Sequence, residues 1–91
     1  SLHNALGMLE GVLGNRAAAE AHFEAALAEH DREQAVTAQA RTLHNYARLL
    51  LASAAAGSDD ERRARSLVER GLDLARRHGL VASRRKLERL L

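Results

Sequence analysis

The chain has 91 residues, with 14 basic and 12 acidic side chains for a formal charge of +2, no cysteine, no proline, and one residue each of Phe, Tyr and Met. A chain of this length makes one small domain, burying about 60–65% of the surface its unfolded form exposes. Without cysteine, a disulfide framework and a thiolate zinc site are excluded. Abundant Ala and Leu beside few β-branched or aromatic residues predict an all-α fold.

The longest apolar run, Leu49 to Ala56, is interrupted by Ser53 and falls far short of the roughly 20 residues that span a bilayer. No pattern of charged start, apolar stretch and cleavage site marks a signal peptide. No membrane partner and a cytoplasmic location are therefore expected. The first residue is Ser1 and the last two are Leu90-Leu91, which reads as a segment of something longer. Of the 14 basic residues all but Lys86 are arginine, a bias that suggests a GC-rich bacterial genome. Charge is uneven along the chain. Residues 1–61 carry four basic and nine acidic side chains, net −5, and residues 62–91 carry ten and three, net +7.

Apolar residues recur at helical spacing in five blocks. The first is the stripe Leu2, Ala5, Leu6, Leu9, Val12 and Leu13, ending at Gly14-Asn15. Gly14 suits the left-handed residue that closes a helix and Asn15 the N-cap of the next. The second block sets Ala19, Phe23, Ala26 and His30 on one face. The third sets Val36, Ala40, Leu43, Ala47, Leu50 and Ala54 on one face, with Tyr46 and Leu51 at its margins. Between Ala26 and Val36 the stripe jumps by roughly 120° at 100° per residue. Asp31 followed by Gln34 resembles a capping box, so a break is expected near Asp31.

Gly57 supplies the next terminator and Ser58 the next N-cap, with Glu61 three residues on. Asp59 and Asp60 put negative charge on the positive end of the new helix dipole. The fourth helix is expected to bury Ala64, Leu67, Val68, Gly71, Leu72 and Ala75, and to end at Arg76-Arg77-His78-Gly79. The fifth block, Ser83 to Leu91, places Leu80, Leu87 and Leu91 on one side.

Internal repetition is visible. Leu2-His3-Asn4 recurs as Leu43-His44-Asn45, and Leu9 answers to Leu50 at the same separation. Farther along, Ala19 pairs with Ala64, Phe23 with Val68 and Leu27 with Leu72 at a slightly larger one.

The first hairpin resembles a tetratricopeptide (TPR) repeat. That pattern is a Leu-Gly pair, a Gly near the end of the first helix, a small residue, an aromatic four later, and an Ala-Leu pair. Here these are Leu6-Gly7, Gly14, Ala19, Phe23 and Ala26-Leu27, in register. Glu10 stands where an aromatic is usual, no Trp precedes Leu6, and Asp31 replaces the expected proline. The second copy, with Ala64, Val68 and Gly71-Leu72, departs further, and its first helix and loop exceed the usual period of about 34. The resemblance implies antiparallel helical hairpins stacked as an α-solenoid of about five helices. Hairpin 1 would cover about residues 2–30, hairpin 2 about 33–78, and a third unit or capping helix about 81–91. At a second level, stretches such as "AEAHFEAALAEHDRE" and "SRRKLERLL" are similar to the repeat region of large bacterial LuxR-type regulators. In those, an ATPase module precedes degenerate helical repeats.

Small Gly7, Ala19 and Ala26 would let helix backbones approach, and Phe23 would fill the volume they leave. The glycines Gly7, Gly11 and Gly14 lack the following Gly-Lys-Ser/Thr of a phosphate loop. His3, His22, His30, His44 and His78 form no i, i+4 pair and no His-Glu-x-x-His, so no metal is expected. No Ser sits in a nucleophile-base context; neither catalysis nor a cofactor is expected. In the fourth helix Glu61–Arg65, Arg65–Glu69 and Asp73–Arg77 are possible i, i+4 pairs. Arg84, Arg85, Lys86 and Arg89 form a less compensated basic patch. Interleaved aromatics are absent, so nucleic acid is not the expected partner.

If the hairpins stack, a concave face comes from the first helix of each. Its candidate residues are Asn4, Met8, Asn45, Arg48 and Leu49, available to a protein or peptide or to neighbouring domains of the parent chain. The expected role is a non-catalytic scaffold or sensor in a bacterial transcriptional or signalling regulator. Two alternatives remain: a homo-oligomeric bundle burying Leu80, Leu87, Leu90 and Leu91 against a copy, and nucleic-acid contact through the basic end.

Overall fold

A computed structural model of the protein describes residues 2–91. Five helices follow one another: α1 (Leu2–Val12), α2 (Arg16–Glu33), α3 (Val36–Leu51), α4 (Asp59–His78) and α5 (Val81–Glu88). No strand occurs among the described residues, and the fold is all-α. The radius of gyration, 12.3 Å, matches the roughly 12 Å of a compact domain this long.

Helix α3 is the hub. It packs against each of the other four, most extensively against α4, while α1 packs chiefly against α2 and α5 against α4. Helices α1 and α5 both flank α3 without touching each other. The core is one cluster drawn from α2, α3, α4 and α5: Ala19, Phe23, Leu27, Leu43, Tyr46, Ala47, Leu50, Ala64, Leu67, Val68, Leu72 and Leu87. Positions that answer to each other in α2 and α4 are buried alike, Ala19 with Ala64, Phe23 with Val68, Leu27 with Leu72.

Three of the four connections share one geometry. Gly14, Gln34 and Gly79 lie in the left-handed region at φ 81°, 54° and 67°. The residues after them, Asn15, Ala35 and Leu80, have φ near −87° and ψ of 72°, 77° and 78°. Their amides donate five residues back, to the carbonyls of Glu10 (2.8 Å), His30 (2.9 Å) and Ala75 (2.8 Å). Such a closure satisfies helix-end carbonyls and reverses the chain in two residues. The fourth connection is longer and is stopped by Ser58, whose Oγ accepts from the Glu61 amide at 3.2 Å while Glu61 Oε1 accepts from the Gly57 amide.

Several sequence expectations are corrected. Helix α2 runs through Asp31 to Glu33, and the break falls at Gln34. Asp31 is no cap; a non-glycine residue takes the left-handed conformation instead. Asn15 occupies an N-cap position but its side chain donates to Glu10 Oε2 at 2.8 Å rather than capping. Helix α3 stops at Leu51, so Ala54 falls in the loop, and α5 starts at Val81 rather than Ser83. Tyr46, expected at a margin, is 2% exposed. Leu91 does not join Leu87 in the interior and stays 72% exposed.

The largest departure is in α1, where only Gly7 is buried. Leu2, Leu9, Val12 and Leu13 are exposed. At 100° per residue they centre roughly opposite Asn4, Gly7 and Gly11, which face the domain. Thus α1 packs through its small residues and turns its apolar stripe outward.

The reason is Phe23. A Cβ added at Gly7 would come within 2.7 Å of two Phe23 ring carbons. The ring is 1% exposed and stacks on Tyr46, centroids 5.5 Å apart and planes at 23°. At Gly71 the added Cβ would meet the Leu87 side chain at 2.8 Å. Gly7→Ala is therefore expected to cost about 1–2 kcal/mol, because overpacking against a wedged ring exceeds the helix-propensity gain of up to about 1 kcal/mol. Gly71→Ala should stay within about 1 kcal/mol of neutral, since α5 is short and Leu87 meets the new methyl with flexible methyl ends. Urea unfolding of both variants checks the order.

Candidate functional site

The largest concavity is a groove of about 600 Å³ with α3 as floor and α1 and α5 as walls. Helix α3 contributes Thr37, Ala40, Arg41, His44, Asn45 and Arg48. Met8 comes from α1, and Ala82, Ser83 and Lys86 from α5, with Arg89 and Leu90 just beyond it. Thr37, Arg41, His44 and Arg48 recur at spacings of four, three and four, which align them along one helix face. Ala82 and Lys86 of α5, with the C-cap residue Arg89, repeat that pattern.

This groove gathers residues from two separate sequence expectations. Met8, Asn45 and Arg48 of the expected concave face lie in it, together with Lys86 and Arg89 of the expected basic patch. Leu49 lines an adjoining cavity of about 310 Å³ between α1 and α3, which shares Met8, Asn45 and Arg48 with the groove. Asn4 lines neither of these two cavities. The basic patch is split: Arg84 pairs with Glu88 at 3.8 Å and, with Arg76, lines a small cavity between α4 and α5, and Arg85 is exposed outside the groove. At about 100° per residue the basic side chains fan around the helix, and only Lys86 and Arg89 line the groove.

Of the packing residues, Gly7, Ala19, Phe23, Ala26, Leu27, Ala64, Val68, Gly71 and Leu72 are buried, and Leu6 is partly buried. Leu87 is fully buried against Gly71, so it is not available to a second copy.

A chain of polar contacts fastens the floor to its neighbours. The Thr42 hydroxyl donates to Asn4 Oδ1 (3.1 Å), so its oxygen accepts from His30 Nε2–H (3.2 Å). Asn45 Nδ2 also donates to Asn4 Oδ1 (3.2 Å) and lies 3.4 Å from Met8 Sδ. Asn45 Oδ1 accepts from His44 Nδ1–H at 3.2 Å. Asn4 and Asn45 thus join α1 to α3, which reduces what they offer a partner. Among the described residues every buried side-chain polar atom has a partner, as low-dielectric interiors require.

A second cluster braces the far side. Glu20 accepts from the Tyr46 hydroxyl (3.0 Å), Arg16 Nε (3.0 Å) and Arg63. Arg16 also reaches Asp60 at 2.7 Å. These pairs link α2 to α4 through Tyr46 of α3. Of the i, i+4 pairs expected on α4, Asp73–Arg77 forms at 2.9 Å, whereas Glu61 is taken up by its capping contact.

Burial pushes the Glu20 carboxyl up, but hydrogen bonds from Arg63, Tyr46 and Arg16 outweigh it and hold it below 4.5. Burial lowers both His30 and His44 below 6.5; at His44 the Asn45 hydrogen bond opposes the shift, and Arg48 and Lys86 add to it. The Tyr46 phenol is raised, by burial first and by Glu20 next.

Sequence reasoning missed Arg41; it noted His44 as the repeat equivalent of His3, a position that could contact a ligand, without joining it to the basic residues of this groove. Both carry the spacing signal of the α3 face, which the search for hydrophobic stripes passes over. Among the described residues no group of three or more His, Asp or Glu is placed to hold a metal ion. No described helix is long and apolar enough to cross a membrane.

These shifts set the acid response. A carboxylate or histidine whose folded value is lowered gives stability above its unfolded value, lost as pH falls through the folded one. The urea midpoint should therefore decline below about pH 6.5, from His30 and His44, and again below about pH 4.5, from Glu20. Glu20→Gln should lower the midpoint at pH 7 and shallow the second decline. An unchanged second decline would contradict the role given to Glu20.

Comparison with protein-family models, with curated proteins and with solved structures finds no match to this chain.

Proposed function

We propose that this protein is a TPR-like helical repeat segment of a bacterial multidomain regulator, acting without catalysis as a scaffold or sensor that binds a protein or peptide. The observation that carries the reading is the groove of about 600 Å³ walled by α1 and α5 on either side of α3. Its volume lies within the roughly 300–1,000 Å³ of ligand sites, and it alternates apolar and polar lining as recognition surfaces do. Around it, buried glycine, alanine and one wedged aromatic ring hold the helices at short range, which suits a rigid platform.

Panning a random peptide library on the purified protein tests this. Ala82 is exposed and lines the groove, so Ala82→Trp should obstruct the groove without disturbing the core. Selected peptides should lose binding to Ala82→Trp and to Arg48→Glu by about tenfold or more, with far-ultraviolet circular dichroism unchanged. Peptides that bind both variants as they bind the wild type would place recognition elsewhere.

A second reading, self-association, is favoured by the outward stripe of Leu2, Leu9, Val12 and Leu13, an apolar face of the kind that marks interaction sites. It runs through α1 rather than through the C-terminal leucines. A molecular mass by light scattering that stays monomeric across concentrations removes it.

A further inference from the structure

We infer that the partner of the groove is an acidic peptide segment, its carboxylates held between two cationic rails and its apolar side chains seated on the floor. The inference rests on the groove reading above and adds the chemistry of the occupant. One rail is Arg41 and Arg48 on α3, the other Lys86 on α5 and Arg89 at its C-terminal cap. All four are exposed. None makes an ion pair among the described residues; Arg32, Arg65, Arg70, Arg76 and Arg85 are likewise unpaired, but of the unpaired cations only these four share one concavity. No described Asp or Glu lines the groove, so the cations face one another uncompensated. Their field is felt inside: after burial, Arg48 and Lys86 act to keep His44 uncharged.

Geometry favours a peptide. The face from Thr37 to Arg48 is about 16 Å long at 1.5 Å per residue, the span of about five residues of extended chain. Met8, Ala82 and Leu90 add apolar surface to the lining. No Phe, Tyr or Trp side chain lines the groove, since Tyr46 and Phe23 are buried in the core. The one ring in the lining, His44, is part-buried and held by Asn45. The stacking platform that single-stranded nucleic acid uses is therefore lacking. A chain alternating carboxylates with aliphatic side chains matches both features at once, and guanidinium groups bind carboxylates in a two-pronged fashion.

The test measures fluorescence anisotropy with a labelled dodecapeptide alternating Glu with Leu and Ser, its Gln and Lys counterparts, and an oligothymidylate. The Glu peptide should bind about tenfold or more tighter than the Gln peptide, and the Lys peptide should not bind. Its affinity should fall between about 50 and about 300 mM salt as screening shortens. Arg48→Gln with Lys86→Gln should weaken it about five- to tenfold, and Ala82→Trp should abolish it. If the Glu and Gln peptides bind equally and Ala82→Trp blocks both, the groove reading stands and the acidic partner is overturned. If Ala82→Trp leaves Glu-peptide binding intact, or no peptide binds, both fail. An oligothymidylate that displaces the Glu peptide and binds tighter assigns the rails to nucleic acid, which also overturns the inference.

Discussion

The position of α1 depends on one contact, the Phe23 ring lodged between the bare backbone of Gly7 and the face of Tyr46. Helices α1, α2 and α3 meet at that ring. Gly7 brings α1 closer than any residue with a Cβ would, and Tyr46 limits how far the ring can retreat. A helix that presents almost no apolar side chain to the core is held by backbone-to-ring packing and by the Asn4–Asn45–Thr42 hydrogen bonds. Shape, not hydrophobic area, anchors it. The outcome is a wall of the groove placed at fixed distance from its floor, with Met8 at the rim.

Charge is partitioned by the same packing. On the α2–α4 side, Glu20 and Asp60 neutralise Arg16 and Arg63, and Tyr46 extends from the core to join them. On the other side, α3 and α5 present cations with no carboxylate near. Exposed ion pairs contribute little to stability, so the first arrangement matters chiefly for fixing how α2 and α4 sit. The second leaves electrostatic free energy to be recovered by whatever binds. A net charge of only +2 hides this division, because none of the acidic residues lines the groove.

Much of the fold was legible in the sequence. Helical periodicity located the five helices, and Gly14 and Gly79 marked two ends, whereas α3 stops at Leu51, well before the expected terminator Gly57. Ser58 with Glu61 foretold a cap that forms. The turn at Gln34 was not legible, because a glutamine in the left-handed conformation carries no compositional mark, and the plausible cap at Asp31 drew the boundary early. The outward stripe of α1 was misassigned for a related reason: periodicity says which face is apolar, not whether a neighbour exists to cover it. Gly7 and Gly11, nearly silent on any hydropathy scale, carry the contact. At the groove, Met8, Asn45 and Arg48 followed from first-helix positions, but Arg41 escaped notice, and His44 was read through the repeat rather than through the α3 face it shares with Arg41 and Arg48. The four basic residues at and just beyond α5 were grouped by proximity in sequence, and only Lys86 and Arg89 line the groove.

A double-mutant cycle on Gly7 and Phe23 tests the packing claim most directly. Measured by urea unfolding of wild type, Gly7→Ala, Phe23→Leu and the double variant, the two sites should couple by about 1 kcal/mol or more, the smaller Leu relieving the methyl of the new Ala. Additivity within about 0.3–0.5 kcal/mol would mean that the ring and the α1 backbone are not in contact, and that α1 is held, and the groove walled, by something else.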